Sequence, residues 1–440
     1  MEVYNRKLML EISILRTLAL YVFAFLILFS VVFPVTLQFQ KAVFLFLIIL
    51  ILVVYIFFNR GKLYLKREVL IFSLFYSTFG LAWSLYGEIN SNPGAMSVST
   101  VMVVYPLLFT ALVVSWQNKH IHNIQGFFVF ISFVLSVSLL LYLLSGSGLI
   151  SSSYYEFMQG LYEEKSVFDQ GENYLLFTHP SVSSLLFFIP FIMVLAFLRE
   201  KNYLHLFVLF LLMLVLIIMT GRRAFFVSFA FVLVFFFFVY CFFYKSKVNA
   251  ISNNKLYFFS FVAFAFIIYI FLNFENFNFN FNVYVDGLLS IFDFSSDASN
   301  LERRNQFFSL IEGISKNPFF GSGAGAAADY SRSNDQPWAY ELSYIALIFH
   351  YGIMGFILYT LGVLYIFLRM LQVIRDKKAS NELRVFAFAF LCGFVSFLVA
   401  NSTNPYLGKF DYMWVIFVPV AIINSYLFER GMSENIHNNC

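Results

Sequence analysis

Residues 42–58 read AVFLFLIILILVVYIFF, seventeen consecutive apolar or aromatic side chains without a charge. Such a run is too long for a strand and has no polar face to offer water, but it matches the roughly 20 residues that cross a bilayer core as a helix. Comparable stretches lie near residues 17–37, 69–86, 100–116, 126–145, 182–198, 203–219, 224–244, 257–273, 342–368, 384–400 and 412–428. The whole chain shares this character, with 61% hydrophobic residues, 12% charged residues and 63 phenylalanines. Soluble domains carry roughly 25% charged residues. Lipid offers no partner to a backbone amide, so each span must close its own hydrogen bonds as a helix. The fold class expected is an all-α polytopic bundle of about twelve transmembrane helices, residues 1–440 forming one integral membrane domain. The start MEVYNRKLMLEISILRT is polar and basic. The apolar run after it is long and lacks a small-residue cleavage site, so the first helix is expected to stay in the membrane.

Twelve spans place both termini on one side. If that side is cytoplasmic, 19 of the 28 Lys and Arg residues fall inside and 9 outside, which sets the orientation as N-in and C-in. The two long loops, residues 146–181 and 274–341, then face outward. Long loops in a compact protein are where recognition or chemistry is sought. The tract NFENFNFNFNVY (273–284) alternates Asn with Phe and reads either as a short strand or as compositional drift.

Within the larger loop, Ser299-Asn300-Leu301-Glu302 has the spacing of a capping box. Phe307, Leu310, Ile311 and Ile314 follow at helical spacing until Asn317-Pro318 ends the run. An amphipathic helix lying on the outer membrane surface is expected, with Arg303 and Arg304 in its first turn. These arginines read either as ligands of lipid phosphates or as part of a site.

Three further features could carry chemistry. Arg222 and Arg223 stand in TGRRAFF at the outer end of a span, where the positive-inside tendency disfavours them. They read as interfacial anchors or as a bidentate grip on phosphate. In NPFFGSGAGAAADY, Gly321, Gly323 and Gly325 permit a tight turn whose amides could approach an anion or a sugar. Glu341 opens the apolar stretch WAYELSYIALIFHYGIMGF, and Ile345, Ile348, Gly352 and Gly355 follow it on one helical face. The glycines suit close helix packing, which would turn Glu341 into the bundle near its outer rim. The alternative is an acidic residue that suits the helix dipole. Neither the three cysteines (Cys241, Cys392, Cys440) nor His120, His122, His179 and His350 have metal-ligand or disulfide spacing, so no metal and no cofactor is expected.

The order of these pieces resembles the O-antigen polymerase and O-antigen ligase superfamily of bacterial surface-polysaccharide enzymes. Arg223 in TGRRAFF corresponds to that family's first outer arginine, and Arg303 in NLERRNQFFSLIEGISKNPFFGSG to its second. Where ligases open the next helix with a histidine, Glu341 and Leu342 stand here, which makes the chain look more like a polymerase. The resemblance implies a glycosyltransferase of the bacterial inner membrane that works at the periplasmic face. It would transfer a glycan from undecaprenyl diphosphate to the non-reducing end of a lipid-linked repeat unit. It implies Arg223 and Arg303 as a diphosphate clamp supported by Arg222 and Arg304, Glu341 as the base, and Tyr344 with the three glycines among the substrate contacts. Expected partners are the lipid-linked donor and acceptor, membrane lipids and a chain-length regulator protein, with no nucleic acid. The alternatives are a ligase that uses lipid A core as acceptor, and a flippase of lipid-linked oligosaccharide.

Overall fold

The computed structural model describes residues 2–61, 63–162, 167–171, 174–199, 203–220, 222–244, 298–331 and 334–438, with side chains left undescribed at 2–12, 167–171, 174–175, 203, 223, 298–300 and 432–438. Its elements in order are α1 (Glu2–Val32), α2 (Gln38–Phe58), α3 (Arg67–Ile89), α4 (Ala95–Ser115, with a π turn over Thr100–Val104), α5 (Ile121–Gly146), α6 (Ser153–Tyr162), β1 (Val167–Gly171), β2 (Tyr174–Thr178), α7 (Val182–Leu198), α8 (Tyr203–Ile218), α9 (Arg223–Val239, continued by a π turn to Tyr244), α10 (Ala298–Lys316), α11 (Ser343–Arg375), α12 (Asn381–Ala400) and α13 (Trp414–Asn438). Among the described residues nine helices are long and apolar enough to cross a membrane, and α7 and α8 are shorter apolar helices. The fold is that of an all-α polytopic membrane protein. The ninth expected span, 257–273, and the Asn-Phe tract lie outside the described residues.

The interior is built from the helices that are apolar all round. The spans of α12 and α13 are each 89% buried, against 22% for α2. Helix α7 is buried along nearly its whole length and packs against α12. Gly393 makes that approach possible, since a Cβ there would stand 2.6 Å from the Phe187 ring. Phe187 in turn meets Phe390 and Trp414 edge-on, at 4.7 Å in each case, the geometry aromatic quadrupoles favour.

Charged residues tie the two ends of the bundle. At one end, guanidiniums take up helix C-terminal carbonyls that would otherwise be orphaned. Arg16 donates to the Val114 and Trp116 carbonyls at 3.0 and 2.8 Å. Arg384 donates to those of Ile374 and Tyr244 at 2.8 and 3.1 Å. At the other end a buried ion pair, Lys41 Nζ to Asp411 Oδ1 at 2.5 Å, joins the start of α2 to the turn that precedes α13. Asp411 also accepts the Val35 amide at 2.7 Å, and Lys41 donates to the Phe33 carbonyl at 2.7 Å.

The chain between α5 and α7 is more ordered than a plain loop, holding α6 and the antiparallel pair β1–β2. The hairpin, in which Val167 to Gly171 pair with Thr178 to Tyr174, lies in the stretch expected as the second long loop.

Removing one partner of a buried ion pair strands the other charge, at a cost of about 3–5 kcal/mol. Asp411→Ala is therefore expected to lower the unfolding temperature in detergent sharply, while Lys41→Met combined with Asp411→Leu recovers most of the loss. Equal melting of Asp411→Ala and wild type would show that the pair does not hold this end together.

Candidate active site

The site is set by a break in α11. Gly352 sits at φ 65°, ψ −177°, which interrupts the helix within the membrane stretch. An interrupted helix leaves carbonyls and amides without partners, and lipid cannot supply them. The turn after α10 does. Ser322 N and Gly323 N donate to the Phe349 and His350 carbonyls at 2.8 and 3.0 Å, while Ile353 N and Met354 N donate to those of Pro318 and Phe319 at 2.9 and 3.1 Å. The same turn reaches α3 and α4 through Ala324 N to the Trp83 carbonyl (3.1 Å) and Gly94 N to the Gly325 carbonyl (3.0 Å).

Gly321, Gly323 and Gly325 all have positive φ (72°, 89° and 69°), as the tight turn expected from the sequence requires. A Cβ on Gly321 would meet the backbone of His350, and one on Gly352 the Phe319 carbonyl. The amides of Gly321 and Gly323 donate to the Asn317 and His350 carbonyls, so these glycines serve backbone-to-backbone packing.

This seam fixes α10, which ends at Lys316, where the Asn317-Pro318 signal placed its stop. Its inward face carries Gln306 and Leu310, both fully buried, and Gly313 against the Phe349 ring. Leu301, Phe308 and Ile311 on the other side are exposed, and the Arg304 guanidinium lies 5.8 Å over the Phe308 ring.

Arg303 and Glu341, 38 residues apart in sequence, meet across this helix. Arg303 Nε donates to Glu341 Oε2 at 2.9 Å, with the side chains 30% and 13% exposed. Glu341 precedes α11 by two residues, so its expected place in the opening turn of a helix, facing Gly352 and Gly355, is corrected. Its orientation comes from its backbone N–H, which donates to Gln306 Oε1 at 3.0 Å. Sequence reading passed over Gln306, a polar residue at a helical position otherwise occupied by core residues. It also passed over Tyr330, whose hydroxyl donates to Glu302, the last residue of the expected capping box, at 2.9 Å.

The Tyr344 hydroxyl donates to the Leu398 carbonyl at the end of α12, at 2.6 Å. Arg223 is the first residue of α9, and its side chain lies outside the described residues. Arg222 precedes it in extended backbone, on a turn to which the hairpin is tied by Phe177 N and the Met219 carbonyl at 3.1 Å. His179 follows the hairpin, with no exposed surface, its ring 4.9 Å from Tyr142 and 4.6 Å from Tyr162. Its Nδ1 accepts the Ser181 amide at 3.2 Å. Burial, with a smaller contribution from Arg222, pushes its pKa down to about 3. A cavity of about 300 Å³ lies between α4, the segment that leads into α11 and the α12–α13 turn, lined among others by Trp338, Tyr340, Ser343 and Asn401.

The family model described as O-antigen ligase matches residues 208–360. That match supports membership of the O-antigen ligase and polymerase superfamily. No curated protein and no solved structure matches the chain. The O-antigen ligase match takes in Arg222, α10, the glycine turn, Glu341 and the break at Gly352, and members of the family are glycosyltransferase-like enzymes of O-antigen biosynthesis.

His179 yields a pH signature. A ring held neutral down to about 3 in the fold, but charged below about 6.5 when unfolded, favours the unfolded state as pH falls between those values. The loss approaches about 1.4 kcal/mol per pH unit. The unfolding temperature in detergent should fall from pH 6.5 to 4 in wild type and fall less steeply in His179→Gln. Parallel profiles would mean that this ring does not govern acid stability.

Proposed function

We propose that this chain is an O-antigen polymerase with both termini in the cytoplasm and the Arg303–Glu341 site at the periplasmic membrane boundary. The observation that carries the reading is the ion pair itself, which joins a guanidinium suited to phosphate and a carboxylate suited to proton transfer in one partly buried place. Glu341, where ligases carry histidine, favours polymerase. The description of the matching family as O-antigen ligase makes ligase the second reading.

The chemistry is substitution at the anomeric carbon of the donor glycan. The acceptor hydroxyl oxygen forms the new bond, its proton passes to the Glu341 carboxylate, and the bond to diphosphate breaks with its electron pair staying on undecaprenyl diphosphate. Arg303, with Arg222 and Arg223 at the N-terminus of α9, stabilises the charge that develops on the leaving group. An entering diphosphate competes for Arg303 and leaves the Glu341 carboxylate to the acceptor hydroxyl. Charge stabilisation and proton transfer account for the reaction without a cofactor.

Lipopolysaccharide from a deletion strain decides the class: single repeats on the core fit a lost polymerase, whereas bare core fits a lost ligase or flippase. In complementation, Arg303→Ala is expected to abolish chain extension at normal protein level, with partial rescue by lysine. Glu341→Gln should lower the transfer rate by roughly 10²–10⁴-fold. Full-length ladders from both variants would refute the assigned roles.

Orientation has its own test. With the native cysteines replaced, Asp335→Cys should react with an impermeant maleimide in intact cells and Lys377→Cys should not. The reverse pattern would place the site in the cytoplasm.

A further inference from the structure

The cavity beside Glu341 has a chemistry of its own. Its volume is about 300 Å³, at the low end of the roughly 300–1,000 Å³ of ligand pockets, which suits one or two sugar rings better than a long polyprenyl chain. Trp338, Tyr340 and Tyr351 present aromatic surface, and Gln336, Ser343 and Asn401 present neutral hydrogen-bonding groups. Among the described residues Lys409 is the one charged side chain in the lining, and neutral groups make up the rest of its polar surface. Trp338 is held in place: its ring packs on Gly94, where any Cβ would collide with it. Tyr340 is fixed by the Ala328 amide, which donates to its hydroxyl at 2.5 Å. Fixed rings with neutral polar groups suit the apolar C–H faces and the hydroxyls of an uncharged sugar.

We propose that this cavity binds the terminal, non-reducing sugar of the acceptor glycan. Trp338, Tyr340 and Ser343 line the cavity on either side of Glu341 in the chain, and in this proposal the bound sugar presents its hydroxyl toward that segment. The inference rests on the polymerase reading for the role of the bound sugar, and its test is a binding measurement that does not depend on turnover.

The probe is the neutral repeat-unit oligosaccharide released from the source strain's surface polysaccharide, added to the full-length protein in nanodiscs and followed by saturation-transfer NMR. Wild type and Glu341→Gln are expected to bind alike. Trp338→Ala should weaken binding by roughly tenfold or more, and Ser343→Val should also weaken it, which keeps the test valid should Trp338→Ala misfold. In chain-extension assays Ser343→Val should raise KM for the acceptor with kcat little changed. Geranyl diphosphate is the control. If it displaces the oligosaccharide from the Trp338-dependent site, or if both variants bind the oligosaccharide as wild type does, the inference is overturned. If Glu341→Gln extends chains normally while the Trp338-dependent binding stands, the polymerase mechanism fails and the sugar site survives.

Discussion

The structure outside the bilayer depends on one backbone seam. A helix broken inside a membrane must have its freed carbonyls and amides satisfied by protein, and at Gly352 the turn of residues 318–323 does this with four backbone hydrogen bonds. Both sides of the seam need residues without a Cβ, because Gly321 lies against the backbone of His350 and Gly352, and Gly352 against that of Phe319 and Phe320. Side-chain contacts could be repacked one at a time. A backbone seam this close tolerates little, and through it α10 is locked to α11, and through Ala324 and Gly325 to α3 and α4.

That seam explains how far the site could be read from the sequence. The spans were legible because seventeen apolar residues in a row allow few other structures. The end of α10 was legible because Asn317-Pro318 stops a helix wherever it occurs. The glycines were legible as a turn, but their purpose was hidden in residues far along the chain, since nothing local says that a turn at 321 will meet a break at 352. Gly352 itself suggested close packing of a continuous helix, and only its positive φ reveals the interruption. The hairpin after α6 was missed because five-residue strands carry too little periodicity to stand out in an apolar chain.

Arg303 and Glu341 were each singled out on local grounds, and their meeting follows from a residue that was not. Gln306 lies one turn beyond Arg303 on the inward side of α10, fully buried, and accepts the Glu341 amide. Both charged groups are therefore referenced to the same helix, Arg303 by its own backbone and Glu341 through Gln306. Any tilt of α10 carries the pair together and leaves their separation nearly unchanged.

The outer side of α10 sets where that pair can stand. Leu301, Phe308 and Ile311 are exposed along one edge, and three apolar side chains in register on a helix are stable only against lipid or another protein. Arg304 over Phe308 has the arrangement of a side chain whose stem follows the apolar layer while its charge reaches the polar one. On the function proposed for this chain, a helix held in this way lies at the depth of lipid phosphate groups. Its opposite face then holds Arg303 at that depth, shielded from bulk water by the loop that Tyr330 and Glu302 close. In the proposed mechanism the apolar edge sets the height of the helix in the membrane, and the inward face presents the Arg303 guanidinium at the level of a lipid-linked diphosphate.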